Sequence, residues 1–326
     1  MKILYSASNN TGAKIQLARF LQAFHGSSHQ LKISAYKQSS PKETHIDWTL
    51  DSLLNMRQPY VISLDNDNLD IYFHQIKSYH PDLIISDLEY FTSYIANNLN
   101  IPLWQYSSTL INYGLTWQEK YHLGINKRYS YLVCRDNHQD RLPYVNIINN
   151  SDRNLVCSHY GDAPNSPKLE NNFEWSRPYH QTYKKHVPCQ HYLTASLINS
   201  NKQIINALKR YPDGVAFLDN CLETYDNLTI KDLNLSDEYY CNLANSDFFV
   251  CQGQGSLLAD AFYNGKYSFI YPDYQDAVAI INSLLTVRAG AGKMVSYEED
   301  LSAFPLPEVK CKYHQVKYLH ELINEL

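Results

Sequence analysis

Glycines are concentrated in one short stretch of the second half of the chain. The sequence has only 11 glycines, and five of them lie between residues 253 and 292. Gly253 and Gly255 stand between an apolar run that ends at Cys251 and a helical pattern that starts near Ser256. Such a turn exposes backbone N–H groups beside the positive end of a helix, an arrangement that binds phosphate. A tight strand-to-helix turn without a ligand would have the same two glycines, so both interpretations stay open.

Two other arrangements of reactive side chains do not complete a recognisable site. His186, Cys189 and His191 lie close together in the sequence, but a zinc site needs a fourth ligand at a sensible spacing and none is evident. The sequence also lacks the Gly-x-Ser-x-Gly turn that presents the nucleophile of α/β hydrolases. We therefore predict no metal site and no serine hydrolase.

A regular alternation of predicted strands and helices would position the glycine turn. Leu17, Phe20, Leu21 and Phe24 have the i, i+3, i+4, i+7 spacing of a helix, and short apolar runs on either side predict strands. The predicted strands of the first half are 3–6, 31–35, 60–64, 83–86 and 101–106. Those of the second half are 215–218, 247–251 and 267–271, with helices near 202–210 and 238–244 and from 256 and 275. Alternation of this kind predicts an α/β protein with doubly wound parallel sheets.

The alternation divides the chain into two Rossmann-like domains and a closing helix. The first domain is predicted at 1–185, with an irregular insert at about 107–185 where prolines and aromatic residues interrupt the apolar runs. The second domain is predicted at 186–312. Residues 313–326 have apolar side chains at helical spacing and are predicted to form an amphipathic helix that packs back on the first domain.

The composition predicts a globular protein rather than a membrane or disordered one. Hydrophobic residues make up 44% of the chain and charged residues 19%, and the formal net charge is -5, so no global basic field indicates a nucleic-acid or membrane partner. Seven cysteines without a Cys-x-x-Cys pair predict scattered reduced thiols. The sequence turns polar directly after Tyr5, so we predict no signal peptide and a cytoplasmic location.

A longer stretch around the glycine turn resembles a known family. It comprises residues 249–262, then Gly265, Pro272, Gln275 with Asp276, and residues 289–292. About 45 residues with these elements in order resemble the donor-binding region of nucleotide-sugar glycosyltransferases of the GT-B fold, the UDP-glycosyltransferase and MurG-like group. The resemblance implies two Rossmann-like domains whose parallel sheets face each other across a cleft. It implies an acceptor site in the first domain and a nucleotide-sugar site in the second.

The resemblance also implies roles for individual donor-binding residues. Asp260 would accept hydrogen bonds from the ribose hydroxyls, and Gln275 and Asp276 would contact the sugar, although their order is reversed relative to the family. The diphosphate would lie against the turn Gln252, Gly253, Gln254, Gly255 and Ser256. Because Gln252 replaces a histidine or arginine of the family, the diphosphate would depend on backbone amides, the helix end and a basic side chain from elsewhere.

The first domain would supply the catalytic base. The loop after the first strand contains Gly12 and Lys14 but not the histidine that the family often has there. Lys14 would bind phosphate, or it is an ordinary exposed lysine. Asp87 and Glu89 follow the predicted strand 83–86, at the edge where ligands bind parallel sheets, so Asp87 is our first choice for the base and Glu89 the second. Alternatively, Asp87 caps the following helix. The implied reaction is inverting and metal-independent, with a UDP-sugar as co-substrate and no cofactor.

The segment between Trp117 and Gln190 is the predicted acceptor region. It has 10 Lys and Arg against 7 Asp and Glu, a balance of +3 in an otherwise acidic chain, and aromatic residues alternate with the basic ones. Basic side chains with stacking aromatics suit a phosphate backbone with an exposed base. The residues predicted to contact DNA are Arg128, Arg135, Arg177, Lys184 and Lys185. A solvated loop filled with aromatic side chains is the plainer alternative.

The acceptor itself is inferred from a broader resemblance. An Asn-, Ile-, Lys- and Tyr-rich composition in a compact chain resembles phage enzymes that glycosylate hydroxymethylated pyrimidines, which implies 5-hydroxymethylcytosine in double-stranded DNA as acceptor and the host cytoplasm as location. A lipid carrier or a small metabolite is the alternative acceptor, and the absence of a basic amphipathic anchor argues against lipid. A GT-B module that binds nucleotide without catalysis is a third interpretation, because the loop histidines are missing.

Overall fold

The computed structural model describes most of the chain. The described residues are 1–7, 16–17, 19–21, 23–24, 27–36, 61–64, 69–124, 141–180, 191–197, 201–218, 227–232, 237–311 and 316–326. Within them no helix is both long enough and apolar enough to cross a membrane.

The first half of the chain forms a seven-stranded parallel sheet in the order β3-β2-β1-β4-β5-β6-β7. Its strands are β1 (Lys2–Ala7), β2 (Gln30–Tyr36), β3 (Val61–Leu64), β4 (Leu83–Ser86), β5 (Leu103–Ser107), β6 (Arg153–Cys157) and β7 (Phe173–Ser176). The apolar runs become central strands because helices cover both faces of the sheet, so every residue of β4 and β5 is buried.

The helices of the first half follow the strands as the alternation predicts. They are α1 (Leu69–Tyr79), α2 (Tyr90–Leu99), α3 (Ile111–Gly114), α4 (Trp117–His122) and α5 (Arg141–Asn149), with a 3₁₀ turn at His159–Asp162. Residues 16, 17, 19, 20, 21 and 23 are also helical and are called the first helical segment below. Phe20 and Phe24, at the end of this segment, pack in the core beneath it, where Phe20 stacks on Tyr5 at 4.2 Å.

The segment 107–185 is more regular than the sequence suggested. Strands β6 and β7 lie within it and extend the first sheet with parallel pairing. The sequence predicts loops and some strand here but does not locate β7, because that strand lies at the sheet edge, where only its last residue, Ser176, is buried. An edge strand with exposed side chains lacks the continuous apolar run by which the central strands were identified.

The second half forms a six-stranded parallel sheet in the order β10-β9-β8-β11-β12-β13. Its strands are β8 (His191–Leu197), β9 (Gly214–Leu218), β10 (Leu228–Asp232), β11 (Ser246–Cys251), β12 (Tyr267–Ile270) and β13 (Gly292–Met294). Its helices are α6 (Lys202–Leu208), α7 (Asp237–Asn245), α8 (Gly255–Tyr263) and α9 (Ala277–Arg288). The predicted fold class, α/β with two Rossmann-like parallel sheets, is therefore confirmed.

The two sheets have the same connectivity. In each, the first strand lies between the second and the fourth, so the order of the chain reverses between β1 and β4 and again between β8 and β11. Ligands of open parallel sheets bind outside the carboxyl ends of the strands at this reversal. The fold therefore points to the residues after β4 and those after β11 as the places to look for a site.

The two halves pack closely through apolar side chains. Ile281 and Leu285 of α9 join a buried cluster that includes Leu110, Ile111 and Tyr160 of the first half. The chain then returns to the first half, where α10 (Leu319–Ile323) places its buried side chains in the core of the first sheet. The helix is shorter than the predicted 313–326, because it begins after Tyr318, whose backbone is extended, and ends before the turn at Asn324.

Candidate functional site

The turn after β11 is built around a glycine that no other residue could replace without rearrangement. Gly253 has a φ of 98°, and a Cβ there would lie 2.6 Å from the carbonyl oxygen of Ala279 and 2.7 Å from Oγ of Ser283. Positive φ and close approach both require glycine. The turn thus lies directly against α9, with Gln254, Gly255 and Ser256 partly exposed.

The amino end of α8 has no side-chain cap. Gln254 is at the N-cap position but makes no capping bond, because its Oε1 accepts the backbone N–H of Gln252 at 3.2 Å instead. Helices α2, α4, α6 and α9 are each capped, by Glu89, Thr116, Asn201 and Asp276. The N–H groups of the first turn of α8 therefore remain available to an anion, as the resemblance implied.

Asp260 does not lie where a ribose could reach it. Its carboxylate is fully buried, and Oδ2 accepts a hydrogen bond from Arg19 of the first helical segment at 2.5 Å. Arg19 also donates to the carbonyl oxygen of Ser256, at 3.3 Å. Residues four apart share one face of a helix, so Ser256 and Asp260 both point to the first half of the chain. The predicted ribose contact is corrected to an ion pair between the two halves.

The ion pair between Arg19 and Asp260 is buried. Burial raises the pKa of Asp260, and the Arg19 guanidinium opposes that rise. Tyr239 donates a long hydrogen bond to the same carboxylate oxygen, at 3.5 Å, while Oδ1 has no partner among the described residues. Separating Arg19 from Asp260 would leave a buried charge without its counter-charge, which is costly. The ion pair therefore holds α8 against the first helical segment.

Gln275 and Asp276 lie at the start of α9. Asp276 Oδ1 accepts the backbone N–H groups of Val278 at 2.8 Å and Ala279 at 3.2 Å, so it caps this helix. Gln275 is exposed, and its backbone N–H donates to Asp273. The sugar contact assigned to Asp276 competes with its capping bonds, whereas that of Gln275 stays a prediction.

Asp87 is a buried carboxylate at the reversal point of the first sheet. Its backbone N–H donates to the carbonyl oxygen of Ser6 at 2.9 Å, which places it directly beyond the ends of β1 and β4, and the residue is 6% exposed. Burial raises the pKa of Asp87 to about 6, and a hydrogen bond from Ser107 opposes the rise. A carboxyl with a pKa near 6 is ionised at neutral pH and basic enough to take a proton from a hydroxyl, which suits a general base.

Glu89, the second candidate for the base, caps a helix. Its Oε1 accepts the N–H of Phe91 at 3.0 Å, and its Oε2 accepts the N–H of Thr92 at 2.7 Å and the hydroxyl of Ser6 at 3.3 Å. The sequence left open whether Asp87 caps this helix, and the structure gives that role to Glu89. A carboxylate with these bonds would have to break them to accept a proton, so Asp87 is the better base.

Arg177 is not a surface residue that could contact DNA. It is 3% exposed, and its guanidinium donates to both oxygens of Asp162, at 2.7 and 3.0 Å. Asp162 also accepts the hydroxyl of Tyr263, from α8, at 2.7 Å, and His180 stacks on the Tyr263 ring at 3.7 Å. The predicted DNA contact is corrected to a second buried ion pair, which lies within the first half and is bonded by Tyr263 from the second.

The remaining predicted site residues lie outside the part of the chain that the structure describes. They are Gly12 and Lys14 of the first loop and Arg128, Arg135, Lys184 and Lys185 of the acceptor region. Within the described ranges no group of three or more His, Cys, Asp or Glu side chains could hold a metal ion. Cys157, Cys241, Cys251 and Cys311 are free thiols.

Sequence reasoning missed Arg19, Tyr160 and Asp162. Arg19 lies between Leu17 and Phe20 of an amphipathic pattern, where a charged residue is expected to face solvent. Tyr160 and Asp162 lie in the segment that the sequence predicts to be irregular. All three contact the second half of the chain, from more than 100 residues away in sequence, and no spacing pattern records contacts at that range.

Comparisons with known proteins agree with the architecture. No protein-family profile and no curated protein matches the sequence. Calicheamicin glycosyltransferase CalG4 is similar in structure, with 13% identity and a TM-score of 0.57 over 90% of this chain and 84% of its own. A glycosyltransferase of Streptomyces sp. SF2575 complexed with thymidine diphosphate has 14% identity and a TM-score of 0.54 over 90% of this chain and 87% of its own.

A third similar structure is not a transferase. UDP-GlcNAc 2-epimerase from Neisseria meningitidis, bound to UDP-GlcNAc, has 11% identity and a TM-score of 0.55 over 91% of this chain and 88% of its own. At these identities the likeness shows a shared fold, the GT-B arrangement of two Rossmann-like domains. Because one fold carries both transfer and epimerisation, the reaction has to be argued from the site.

Proposed function

We propose that this protein is a glycosyltransferase that moves a sugar from a UDP-sugar to an acceptor hydroxyl. One observation carries the proposal: an uncapped helix end and a buried carboxylate stand at equivalent reversal points of the two sheets. Arg19 connects the two places, because it bonds to Ser256 and Asp260 of α8 from a segment that packs on β1. A diphosphate at α8 would bring the sugar towards the first domain and Asp87.

The proposed reaction needs one base and one stabilised leaving group. Asp87 takes the proton of the acceptor hydroxyl while the oxygen attacks the anomeric carbon of the sugar, and the bond from that carbon to the diphosphate breaks. The departing diphosphate carries the negative charge and is stabilised by the N–H groups at the start of α8. Because the hydroxyl attacks opposite the leaving group, the anomeric configuration is inverted.

The proposed reaction uses neither a metal ion nor a cofactor. We infer that no metal is needed, since the N–H groups at the start of α8 would stabilise the negative charge of the diphosphate. Full activity in excess EDTA is the expected result, and loss of activity that Mg²⁺ restores would contradict this inference. The UDP-sugar is consumed as a co-substrate, and the reaction has no step that requires a cofactor.

For the acceptor we propose 5-hydroxymethylcytosine in double-stranded DNA. Support comes from the basic and aromatic residues between Trp117 and Gln190, of which Arg177 no longer counts because it is buried in an ion pair. Exposed aromatic side chains do occur in the described part of this region: Trp117 is 77% and Tyr121 75% exposed on α4. Both are available to stack on a base that has been turned out of the duplex.

The experiment supplies donor and acceptor together and measures both products. Purified protein is incubated with DNA containing hydroxymethylcytosine and a panel of UDP-hexoses and UDP-pentoses, and the nucleosides are analysed by mass spectrometry while released UDP is assayed. A nucleoside that gains the mass of one sugar supports the full proposal. UDP release with no gain on the nucleoside retains the transferase only if a lipid carrier or a small metabolite gains the sugar instead.

Other results would overturn the transferase. Conversion of the UDP-sugar into its epimer indicates an epimerase, and release of free sugar and UDP with no glycosylated product from any acceptor offered indicates hydrolysis instead of transfer. Binding of UDP without any product, detected as a rise in melting temperature, indicates a nucleotide-binding module.

A further inference from the structure

Asn282 on α9 is a buried residue whose amide is only partly explained by the fold. It is 2% exposed, and its Nδ2 has no hydrogen-bond partner among the described residues. Buried amide groups are nearly always paired, and an unpaired one calls for a missing water, ion or ligand. Its neighbours on the same helix differ in this respect, because the buried hydroxyls of Ser283 and Thr286 both donate to backbone carbonyl oxygens.

The unpaired amide lies at the amino end of α8. A Cβ built on Gly255, the first residue of that helix, would lie 3.0 Å from Asn282 Nδ2 and 3.4 Å from its Oδ1, so the nitrogen is the nearer atom. The first turn of α8 has no side-chain cap. Two independent sets of donors therefore lie side by side: the first-turn N–H groups of a nine-residue helix, which no side chain caps, and a buried amide without a partner among the described residues.

The first half of the chain holds Asn282 in place. The hydroxyl of Tyr160, in the 3₁₀ turn after β6, donates to the backbone carbonyl oxygen of Asn282 at 2.6 Å and lies 3.0 Å from Oγ1 of Thr286. Tyr160 is 1% exposed and belongs to the apolar cluster shared with Ile281. A rigid, buried phenol that bonds to the backbone of a residue fixes the position from which its side chain extends.

We propose that Asn282 donates a hydrogen bond from Nδ2 to a phosphate oxygen of the donor diphosphate at the start of α8, and that Tyr160 is the residue that positions it. The inference rests on the proposed function. It also makes the donor site depend on the first domain, since Tyr160 reaches it from there.

The test compares ligands with and without the diphosphate. Affinities for UDP, thymidine diphosphate and uridine are measured by titration calorimetry for the wild-type protein, Asn282→Leu and Asn282→Asp. We expect Asn282→Leu to bind UDP about tenfold more weakly, and Asn282→Asp more weakly still because it adds a negative charge, with uridine affinity unchanged in both. Asn112→Leu, at another buried asparagine, on α3, is the control and should bind UDP as the wild type does.

Three outcomes would overturn the inference. Wild-type affinity of Asn282→Leu for UDP excludes the amide as a ligand, and equal losses for UDP and uridine show a purely structural role. A wild-type protein that binds neither UDP nor thymidine diphosphate overturns the proposed function together with this inference. Binding of UDP without sugar transfer would remove the transferase and leave Asn282 as a ligand.

The positioning role of Tyr160 has a separate readout. Tyr160→Phe removes only the hydroxyl, and we expect it to weaken UDP binding about threefold while uridine binding stays the same. In the double variant with Asn282→Leu the Tyr160 effect should disappear, because the hydroxyl then has no ligand-binding amide to position. Additive losses in the double variant, or no effect of Tyr160→Phe on UDP, would contradict the positioning role.

Discussion

Helices α2 and α8 occupy equivalent places in the two domains and begin in opposite ways. Each follows the fourth strand of its sheet, at the point where the strand order reverses. The start of α2 is closed by Glu89, which accepts two N–H groups of the first turn. The start of α8 has Gln254 at the same position, and its side chain bonds elsewhere. The first turn of α2 is thus capped by a carboxylate of the protein, whereas that of α8 has no side-chain cap.

The difference divides the proposed reaction between the domains. The Glu89 carboxylate already occupies the start of α2, so an anionic ligand would be repelled there. The neighbouring carboxylate, Asp87, is suited to take a proton. The open end of α8 provides positive character without a counter-charge of its own. In the proposed reaction, equivalent frameworks would therefore supply two complementary parts, a base and an anion site.

The largest expected effect is the loss of the base. Asp87→Asn keeps the size of the side chain but cannot accept a proton, so we expect kcat to fall by about 10²- to 10⁴-fold with UDP affinity unchanged. The nearby hydroxyl of Ser107, which bonds to Asp87, cannot replace a carboxylate as base. Initial rates of sugar transfer and UDP titrations measure the two quantities.

The wild-type pH profile tests the same assignment. Because the base acts as the carboxylate and burial raises the pKa of Asp87 to about 6, kcat/KM should rise with pH up to about 6 and level off above it. Stability has the opposite dependence: a raised folded-state pKa means that the free energy of unfolding decreases as pH rises from about 4 to 6. A rate that is flat between pH 5 and 7, or an Asp87→Asn protein with normal turnover, would assign the base elsewhere.

The next effect concerns the anchoring of α8 by the first domain. Arg19→Met leaves the fully buried Asp260 carboxylate without its cation, so we expect the free energy of unfolding to fall by about 3–5 kcal/mol. Denaturant titration measures it. The control is Lys317→Met, because Lys317 pairs with Glu325 on the surface and its loss should cost only about 0–1 kcal/mol.

A second variant keeps this prediction falsifiable. In Arg19→Met with Asp260→Leu neither charge remains, and most of the lost stability should return. The deficit of the single variant should also shrink at low pH, because a buried Asp260 without Arg19 becomes protonated as the pH falls. Equal stability losses for the single and double variants would mean that Arg19 acts through packing and not through charge.

These contacts also mark the limit of what the sequence could predict. The strands β4, β11 and β12 and the turn at Gly253 were predictable because local apolar runs and glycines record local structure. The roles of Asp260 and Arg177 were not, because a charged residue is expected to be exposed unless its partner is known, and here the partners are not recorded by any local pattern. Whether Asp87 or Glu89 caps α2 depends on where the helix begins, and helix boundaries are set to within a residue only by the folded geometry.

A smaller effect is expected when α8 is given an acidic N-cap like that of α2. Gln254→Asp places a capping carboxylate at the start of α8, so we expect the free energy of unfolding to rise by about 0.5–2 kcal/mol while UDP affinity falls about tenfold, because the new charge competes with phosphate. Gln254→Ala, which supplies no cap, should leave UDP affinity nearly unchanged. Denaturant titration and calorimetry test both parts, and unchanged UDP binding in Gln254→Asp would remove this helix end from the donor site.

The converse variant removes the side-chain cap of α2. Glu89→Ala removes the cap of α2, and the usual cost of a lost cap, about 0.5–2 kcal/mol, is the expected fall in the free energy of unfolding. If Glu89 is structural and Asp87 is the base as proposed, sugar transfer measured well below the melting temperature should remain within about twofold of wild type. A loss of kcat as large as that of Asp87→Asn would show that the two carboxylates act as a pair, and the contrast between a closed and an open helix end would then no longer explain the division of roles.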